Sequence, residues 1–467
     1  MAVDSTHPDY AAAALEWARA RDVLAGEDAV KAAGQKYLPR MDSQSEEEYA
    51  AYKARASFFG ATARTLDEYL DLVFRRAPTV GVGERKALET FVGDCDLWGL
   101  DFLRYARRVV GEVLSVGRSG SLVLWDGAGG RPWVSSWRAE DVVNWKVERV
   151  GQTAALVEVV LRDPPSSGHF GGTGAGRLRV LRLAESVCVQ EFWKRSDPPS
   201  AGLPPTPEAS TGQAGATSEG WILEESATLK RDGVALPFIP FVFHGPRNSR
   251  PEPDRLPLAD IIAANLDHYR LDADLKHGLH FAALPTAWVS GFDKATPLRI
   301  GSSAAWVSDI PGASAGFLEF SGAGLAHIER AIERVERRMA LLGARMLEVT
   351  GPDSEANAGQ RGELCGLGNV VASLNQSLTR VLRLAYWWIE GGQVGEVPGV
   401  AFTMNTDLSA RAISGEDITA VVAAWRAGAI SRETMLERLK RGEVLPEGRT
   451  VAQERALIYR IPGVNEA

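Results

Sequence analysis

One unbroken helical stripe constrains this chain more than any other feature. Between residues 325 and 346, apolar side chains recur at alternating spacings of three and four positions. The stripe consists of Leu325, Ile328, Ile332, Val335, Met339, Leu342 and Met346. Such spacing predicts one continuous helix of roughly 25 residues with a heptad-like seam. We expect this seam to pack against a second helix of the same chain or against a neighbouring copy.

The other side of this helix is densely charged. Its charged residues are Glu329, Arg330, Glu333, Arg334, Glu336, Arg337, Arg338 and Arg345. A glutamate four positions before an arginine is a favourable pair, whereas arginines spaced by four residues repel one another. Two interpretations stay open: a solvated face, or a face that meets acidic neighbours or phosphates.

The rest of the sequence mixes helical and strand patterns. Residues 8–118 have helical periodicity, and short β-branched or aromatic runs after residue 119 predict a meander of antiparallel strands. A helix over residues 258–278, strands over 279–320, a helix over 367–390, a strand and two short helices follow. The fold class is therefore predicted as α+β. Proline-, glycine- and serine-rich stretches at 164–176 and 196–220 are expected to be flexible hairpin insertions.

Several helix ends are predicted from local signals. Pro8 suits the first turn of a helix, and Ser431 suits an N-cap. Serine or threonine followed three residues later by glutamate predicts capping boxes at residues 43–46 and 65–68. A further amphipathic helix is expected over residues 84–115.

Charge and cysteine content exclude several protein classes. The chain has 52 Lys+Arg against 60 Asp+Glu, a net charge of −8, whereas proteins that coat nucleic acid are usually basic. Its three cysteines, Cys95, Cys188 and Cys365, form no CxxC motif, which suits a reducing cytosol and excludes a disulfide framework. The N-terminal segment lacks the pattern of a signal peptide, and no apolar run is long enough to span a membrane.

Motifs of catalysis and metal binding are weak. Residues 312–316 match GxSxG, but a proline precedes them and an apolar run follows, so we expect a glycine-rich turn. His268, His277 and His280 lie near Asp272 and Asp274, yet their spacing favours ordinary helix-surface histidines over a metal site. No phosphate-binding P-loop motif occurs. We expect no enzyme activity, no cofactor and no metal.

The order of the parts is more informative than any single motif. A helical block and a β meander precede a helix introduced by prolines, a short strand-rich segment and the long seam helix. A polar loop, another long helix and a small helical tail then follow. This order resembles the portal proteins of tailed bacteriophages.

Short phrases along the chain strengthen this resemblance. The N-terminal phrases are Gly26-Glu27-Asp28-Ala29-Val30-Lys31, Tyr37-Leu38-Pro39 and the segment 65–78. The central and C-terminal phrases are Ile239-Pro240-Phe241-Val242, Leu258-Ala259-Asp260, Asn265-Leu266-Asp267-His268-Tyr269-Arg270, Leu284-Pro285-Thr286 and Gly428-Ala429-Ile430-Ser431-Arg432-Glu433-Thr434. Each is weakly specific alone, but together, in this order, they resemble one portal family of uncharacterised type.

The resemblance implies a portal fold with a wing, a two-helix stem, a small α/β clip, a tunnel loop and a short helical crown. The implied divisions are a helical wing (1–118), a β-rich wing (119–254), stem helix 1 (255–278), the clip (279–321), stem helix 2 (322–349), the tunnel loop (350–365), a returning wing helix and strand (366–409) and the crown (410–467).

The resemblance also implies a function. Portal proteins form a ring, twelvefold in the family, at one capsid vertex of the virion, through which terminase packages DNA. The implied partners are further copies of the chain, double-stranded DNA, the terminase large subunit, the major capsid protein and a head-completion or adaptor protein. Asn357, Gln360 and Arg361 would approach DNA in the tunnel loop, and the clip contacts would be Phe292, Asp293, Lys294 and Arg299. The alternative is a head-assembly adaptor or scaffold protein without a channel.

Overall fold

The computed structural model describes most of the chain. The described residues are 2–82, 86–163, 176–195, 217–218, 220–283, 286–291, 306–307, 309–318, 324–347, 366–392, 395–406, 408, 415–441, 444–445 and 449–458. Helices and antiparallel sheets alternate along the chain, which confirms the α+β class.

Helices dominate the N-terminal quarter. They are α1 (Pro8–Ala25), α2 (Glu27–Ala32), α3 (Glu46–Arg55), α4 (Ala61–Phe74), α5 (Lys86–Gly93) and α6 (Phe102–Val116), with strand β1 (Thr79–Val82) between α4 and α5. Pro8 stands at the start of α1 as predicted, and the His7 ring accepts a hydrogen bond from the amide of Asp9 (3.2 Å).

Both predicted capping boxes are wrong. The box of α3 is formed two residues later than expected: the Glu48 amide donates to Ser45 Oγ (3.1 Å), and the Ser45 amide donates to the Glu48 carboxylate (2.8 Å). Thr65 lies inside α4, where its hydroxyl donates to the Ala61 carbonyl (2.9 Å).

The helix expected over residues 84–115 is divided into α5 and α6. Between them the chain makes a turn in which Leu97 has φ 70°, a left-handed conformation that no α-helix contains. Asp101 then begins α6 by accepting a hydrogen bond from the Arg104 amide (2.7 Å).

Two sheets follow, and all their strands pair antiparallel. The strands are β2 (Ser119–Asp126), β3 (Arg131–Arg138), β4 (Val142–Val150), β5 (Thr153–Asp163), β6 (Arg177–Ala184), β7 (Val187–Arg195), β8 (Thr217–Ser218), β9 (Trp221–Thr228), β10 (Lys230–Arg231), β11 (Val234–Ala235) and β12 (Phe241–His244). One sheet has the order β12-β2-β3, the other has β4-β5-β6-β7-β9-β8, and β10 and β11 form a separate hairpin. The expected meander therefore splits where the chain turns at Ala139–Asp141.

The predicted insertions lie mostly outside the described residues. Within the second of them, however, β8 pairs with β9 and extends the larger sheet.

The C-terminal half contains the long helices. Its elements are α7 (Ala259–Ala283), β13 (Thr286–Ser290), β14 (Ser314–Leu318), α8 (Leu325–Leu347), α9 (Leu367–Glu390), β15 (Val400–Thr403), α10 (Gly415–Arg426), α11 (Arg432–Arg441) and α12 (Val451–Ile458). α8 and α9 have the predicted extents, and the hydroxyl of Ser431 accepts from the Thr434 amide (3.1 Å) as an N-cap. α7 continues past its predicted end at residue 278, so the first residues assigned to the clip are helical.

α9 crosses the middle of the body and lies against the β12-β2-β3 sheet, α5 and α6. Its apolar face is almost completely buried, and Trp388 Nε1 donates to the Val123 carbonyl on β2 (3.0 Å). At the C-terminal end of α9, the Arg231 guanidinium donates to the carbonyls of Trp388 and Ile389 (both 3.0 Å). These contacts make α9 the helix around which the core is built.

Candidate functional site

α7 and α8 form an antiparallel pair. His268 of α7 lies beside Glu336 of α8 (Nε2 to Oε1, 3.2 Å), and Gly278, ten residues further along α7, lies beside Leu325 at the start of α8. A Cβ placed on Gly278 would lie only 2.5 Å from Cδ2 of Leu325. The glycine therefore lets the two helices approach closely at the end of the pair where α8 begins.

The predicted seam faces α7. Among the seam residues from Leu325 to Leu342, Met339 is buried and the others are half-buried. The side chain of Met346 lies outside the described part. The charged residues from Glu329 to Arg338 are exposed, so over this range the stripe and the charged face separate as the spacing predicts. Of the two partners left open by the sequence, the structure places the helix of the same chain on this seam.

α7 is fastened to the N-terminal helices by polar contacts. The buried Asn265 side chain accepts from the Thr62 amide (3.1 Å) and hydroxyl (2.9 Å), and donates to the Phe59 carbonyl (2.7 Å). Further along α7, the Tyr52 hydroxyl donates to the Asp274 carboxylate (2.6 Å). Burial of Tyr52 and the negative charge of Asp274 raise the pKa of Tyr52. Because α3, α4 and α7 all contribute, the helix has a fixed position on the body.

α8 is fastened at its other end. The hydroxyl of the buried Tyr69 on α4 donates to the Gly343 carbonyl (2.7 Å). The C-terminal turns of α8 thus lie against the body, whereas its N-terminal turns lie beside the end of α7. Together the two helices carry the chain out of the body and back.

A two-stranded hairpin lies at the outer end of this pair. β13 and β14 pair antiparallel, with Thr286 opposite Leu318 and Ser290 opposite Ser314. Large apolar side chains are exposed here: Phe281, Trp288, Val307, Ile310 and Phe317. Ordinary monomers leave few apolar patches uncovered, so this cluster is suited to a contact with another protein surface.

The residues predicted to contact terminase in the clip and DNA in the tunnel loop lie outside the described part of the chain. They are Phe292, Asp293, Lys294 and Arg299 for the clip, and Asn357, Gln360 and Arg361 for the tunnel loop. The described elements on either side are β13 and β14 for the first group, and α8 and α9 for the second.

The exposed face of α8 carries both signs of charge. Arg337 pairs with Glu333 (3.4 Å), and Arg330 Nε donates to the Ala326 carbonyl (3.0 Å). Arg330, Arg334 and Arg338 lie four residues apart along this face. Exposed pairs of this kind contribute little to stability, so the face is free to meet another charged surface.

Among the described residues, the weak motifs lie in separate elements. Ser314 of the GxSxG match begins β14 and is followed by a strand, whereas a nucleophile elbow requires a helix there. Ring contacts join His277 to Tyr52 and to Phe281, at 5.1 and 4.7 Å between centroids. Within the described ranges no group of three or more His, Cys, Asp or Glu side chains is placed to hold a metal ion, and no helix there is long and apolar enough to cross a membrane.

Four buried polar side chains form a hydrogen-bonded series that no sequence pattern predicts. His244 lies between the hydroxyls of Ser121 and Ser377, and Ser121 also contacts the Tyr105 hydroxyl. Burial, aided by the nearby Arg380, lowers the pKa of His244 to about 3. These four residues come from α6, β2, β12 and α9, and no local pattern links them.

A family model covers the segment from α7 to α9. The model, described as a domain of unknown function (DUF4055), matches residues 257–389, which run from α7 through the hairpin and α8 into α9. No curated protein matches the chain.

Solved structures of gene transfer agent (GTA) particles are similar at low identity. A chain in the neck of the empty GTA particle, computed with C6 symmetry, is 13% identical with a TM-score of 0.38, over 82% of this chain and 89% of that one. A chain in the virion of the native particle is 13% identical with a TM-score of 0.37, over 89% of this chain and 99% of that one. A chain in the neck of the native particle, computed with C12 symmetry, is 12% identical with a TM-score of 0.37, over 88% and 96%. These TM-scores are too low to establish a shared fold.

Proposed function

We propose that the chain is the subunit of a portal ring, the channel at one capsid vertex through which phage DNA enters and leaves. The supporting observation is the α7–hairpin–α8 excursion. It starts and ends on the body, it exposes its apolar tip, and it lies where the sequence resembles the stem and clip of portal proteins.

Closed rings require a surface that fits a different surface of the next copy. The seam of α8 is already occupied by α7, so it is not available for this purpose. The exposed apolar side chains at the hairpin end, among them Phe281 and Phe317, are available. We therefore assign ring contacts in the stem and clip to this end, in a ring of twelve copies as in the portal family.

The charge of the chain suits a conduit. DNA must slide through a channel, so tight phosphate binding would oppose its function. A net charge of −8, together with the mixed charges on the exposed face of α8, provides weak and scattered phosphate contacts. In this proposal Asn357, Gln360 and Arg361 approach the DNA, and a separate terminase supplies the energy.

Electron microscopy of the purified chain tests the proposal. Negative-stain images should show rings with an axial hole, and native mass spectrometry should give a mass that is a multiple of the 50.4 kDa subunit. Compact monomers or dimers at all concentrations would contradict the ring and favour the alternative, a head-assembly adaptor or scaffold without a channel.

The clip is tested by charge reversal. Combining Lys294→Glu with Arg299→Glu should abolish docking of terminase on assembled rings while the rings themselves persist. Intact docking would contradict the clip assignment. Arg334→Glu combined with Arg338→Glu on α8 is the matched control, since it also reverses two positive charges but lies further along α8 from the hairpin end.

The tunnel loop is tested by deletion. Removal of residues 354–362 should change the length or the retention of packaged DNA in virions. Unchanged DNA length and retention would show that these residues are not in contact with DNA.

A further inference from the structure

Trp98 is presented to solvent by a rigid turn. Its side chain is 93% exposed, more than any other large hydrophobic side chain among the described residues. Fully exposed tryptophans of this kind are rare, because the indole ring offers a large apolar area for burial. Tryptophan is also the residue most enriched among the anchors of protein interfaces.

Hydrogen bonds hold the turn in this form. The Asp96 carboxylate accepts from the amides of Trp98 (2.9 Å) and Leu100 (3.1 Å), and Asp94 accepts from the Gly99 amide (2.9 Å). Leu97, at φ 70°, adopts a conformation that residues other than glycine rarely adopt.

The turn is also fixed to the β12-β2-β3 sheet. Arg131 of β3 binds the Asp94 carboxylate (2.5 Å), which lowers the pKa of Asp94. The Val134 amide donates to the Cys95 carbonyl (2.7 Å). The indole is therefore held outward by a preorganised support, which reduces the entropy lost on binding.

A pocket elsewhere on the body has complementary chemistry. It has a volume of about 510 Å³ and lies between the edges of the sheets and α9. Leu183, Phe238, Phe241 and Leu384 supply its apolar lining, and Arg380 and Arg383 supply positive charge. Glu396 also lines it, so the charged groups sum to one positive charge.

Among the described residues, the two arginines have no ion-pair partner. The buried Nε of Arg383 has no hydrogen-bond partner within the described ranges. A guanidinium group binds favourably to the face of an indole and to carboxylates. An apolar pocket with arginines therefore fits an aromatic side chain that is accompanied by acidic groups.

We propose that Trp98 of one copy inserts into this pocket of the next copy. Asp96, two residues before Trp98, and Asp101, three residues after it, would then face Arg380 and Arg383. The proposal rests on the self-association assumed under the proposed function, and it assigns the contact to the body of the subunit rather than to the stem. The two surfaces differ, as a head-to-tail contact in a ring requires.

Photocrosslinking locates the contact. The photoreactive residue p-benzoylphenylalanine replaces Trp98, and a mixture of ¹⁵N-labelled and unlabelled protein is irradiated. Peptide mapping should show crosslinks between labelled and unlabelled copies that end in residues 154–156, 237–242 or 380–396. Crosslinks that end elsewhere, or only within one copy, would overturn the inference. The same probe at Leu15, which is 71% exposed on α1, is the control and should not reach the pocket.

Point variants measure the strength of the contact. Trp98→Ala should raise the protein concentration of half-assembly at least tenfold, as for an interface anchor. Its thermal unfolding should be unchanged, since the side chain makes little contact within the chain. Ala155→Trp, which fills the pocket from β5, should weaken assembly similarly, and Leu15→Ala should not.

The outcomes separate this inference from the proposed function. Rings without pocket crosslinks would overturn the inference and leave the portal proposal standing. Pocket crosslinks in a small oligomer without a central hole would support the inference and overturn the portal proposal. A protein that remains monomeric at every concentration would overturn both.

Discussion

The charge state of His244 links the stability of the body to pH. The ring is fully buried between two serine hydroxyls, so folding favours its neutral form and lowers its pKa to about 3. An unfolded chain has an ordinary histidine pKa of about 6.5. Between these values the unfolded state binds one proton more than the folded state, so the stabilisation is lost as the pH falls.

We predict that His244→Gln lowers the free energy of unfolding by about 1–3 kcal/mol at pH 7.5, because it disturbs a buried hydrogen-bonded chain. This difference from the wild type should shrink as the pH falls below 6.5, by at most about 1.4 kcal/mol per pH unit. Urea unfolding at several pH values measures it. A difference that does not vary with pH would show that His244 is not neutral in the fold.

Arg118 is buried without an ion pair among the described residues. Its guanidinium lies over the rings of Trp145 (4.0 Å) and Phe243 (4.9 Å), yet none of its three nitrogens has a hydrogen-bond partner within the described residues. Burial lowers its pKa to about 9, so the fold disfavours the charged form that exists at neutral pH.

We predict that Arg118→Met stabilises the chain by about 1–3 kcal/mol, because a similarly long apolar side chain keeps the ring contacts and removes the buried charge. Differential scanning calorimetry measures the change. A lower melting temperature for Arg118→Met would indicate that the charge has a favourable role. Arg149→Met, at an exposed position of β4, is the control and should have little effect.

At the level of elements, the seam of α8 is tested by two adjacent residues. Met339 is buried and Arg338 is exposed. Met339→Ala should weaken this packing by about 2–4 kcal/mol, whereas Arg338→Ala should change stability by less than about 0.5 kcal/mol.

Hydrogen exchange over residues 325–347 measures the effect locally. Faster exchange of α8 in Met339→Ala alone is the expected result. Equal exchange in both variants would mean that the seam does not hold the helix in place.

The sequence predicts long elements better than their ends. α8 and α9 are predicted correctly because each helix extends for about six turns, and tertiary contacts stabilise the same helical conformation that the local sequence favours. The start of α4 could not be predicted, because its Thr62 amide is capped by Asn265, a residue 203 positions away. The start of α3 was misplaced because two overlapping patterns, from Ser43 and Ser45, satisfy the same capping rule.

The candidate site was predicted only where it depends on periodicity. Periodicity predicted the seam of α8, and the structure then identified α7 as its partner. The Trp98 turn, the pocket and the hydrogen-bonded chain around His244 are each assembled from segments that lie far apart in the sequence. Each of these three features depends on single polar or aromatic side chains. A single residue does not form a repeating pattern, so the sequence does not predict such features.

For the whole molecule, charge predicts weak contact with DNA. The free protein should bind duplex DNA with a dissociation constant weaker than about 1 µM at an ionic strength of about 0.15 M, since its net charge is −8. Fluorescence anisotropy with a labelled duplex measures this. Nanomolar binding would contradict a channel through which DNA slides.

The attachments of α7 and α8 determine how a force on the hairpin is transmitted. α7 is bound to the body through Asn265, Asp274 and His277, and α8 is bound through its contact with Tyr69. Both helices are therefore held along most of their lengths, and the paired strands β13 and β14 lie at the end of this pair. A force on the hairpin is thus passed along both helices to α3 and α4, as by a bracket that is fixed at several points.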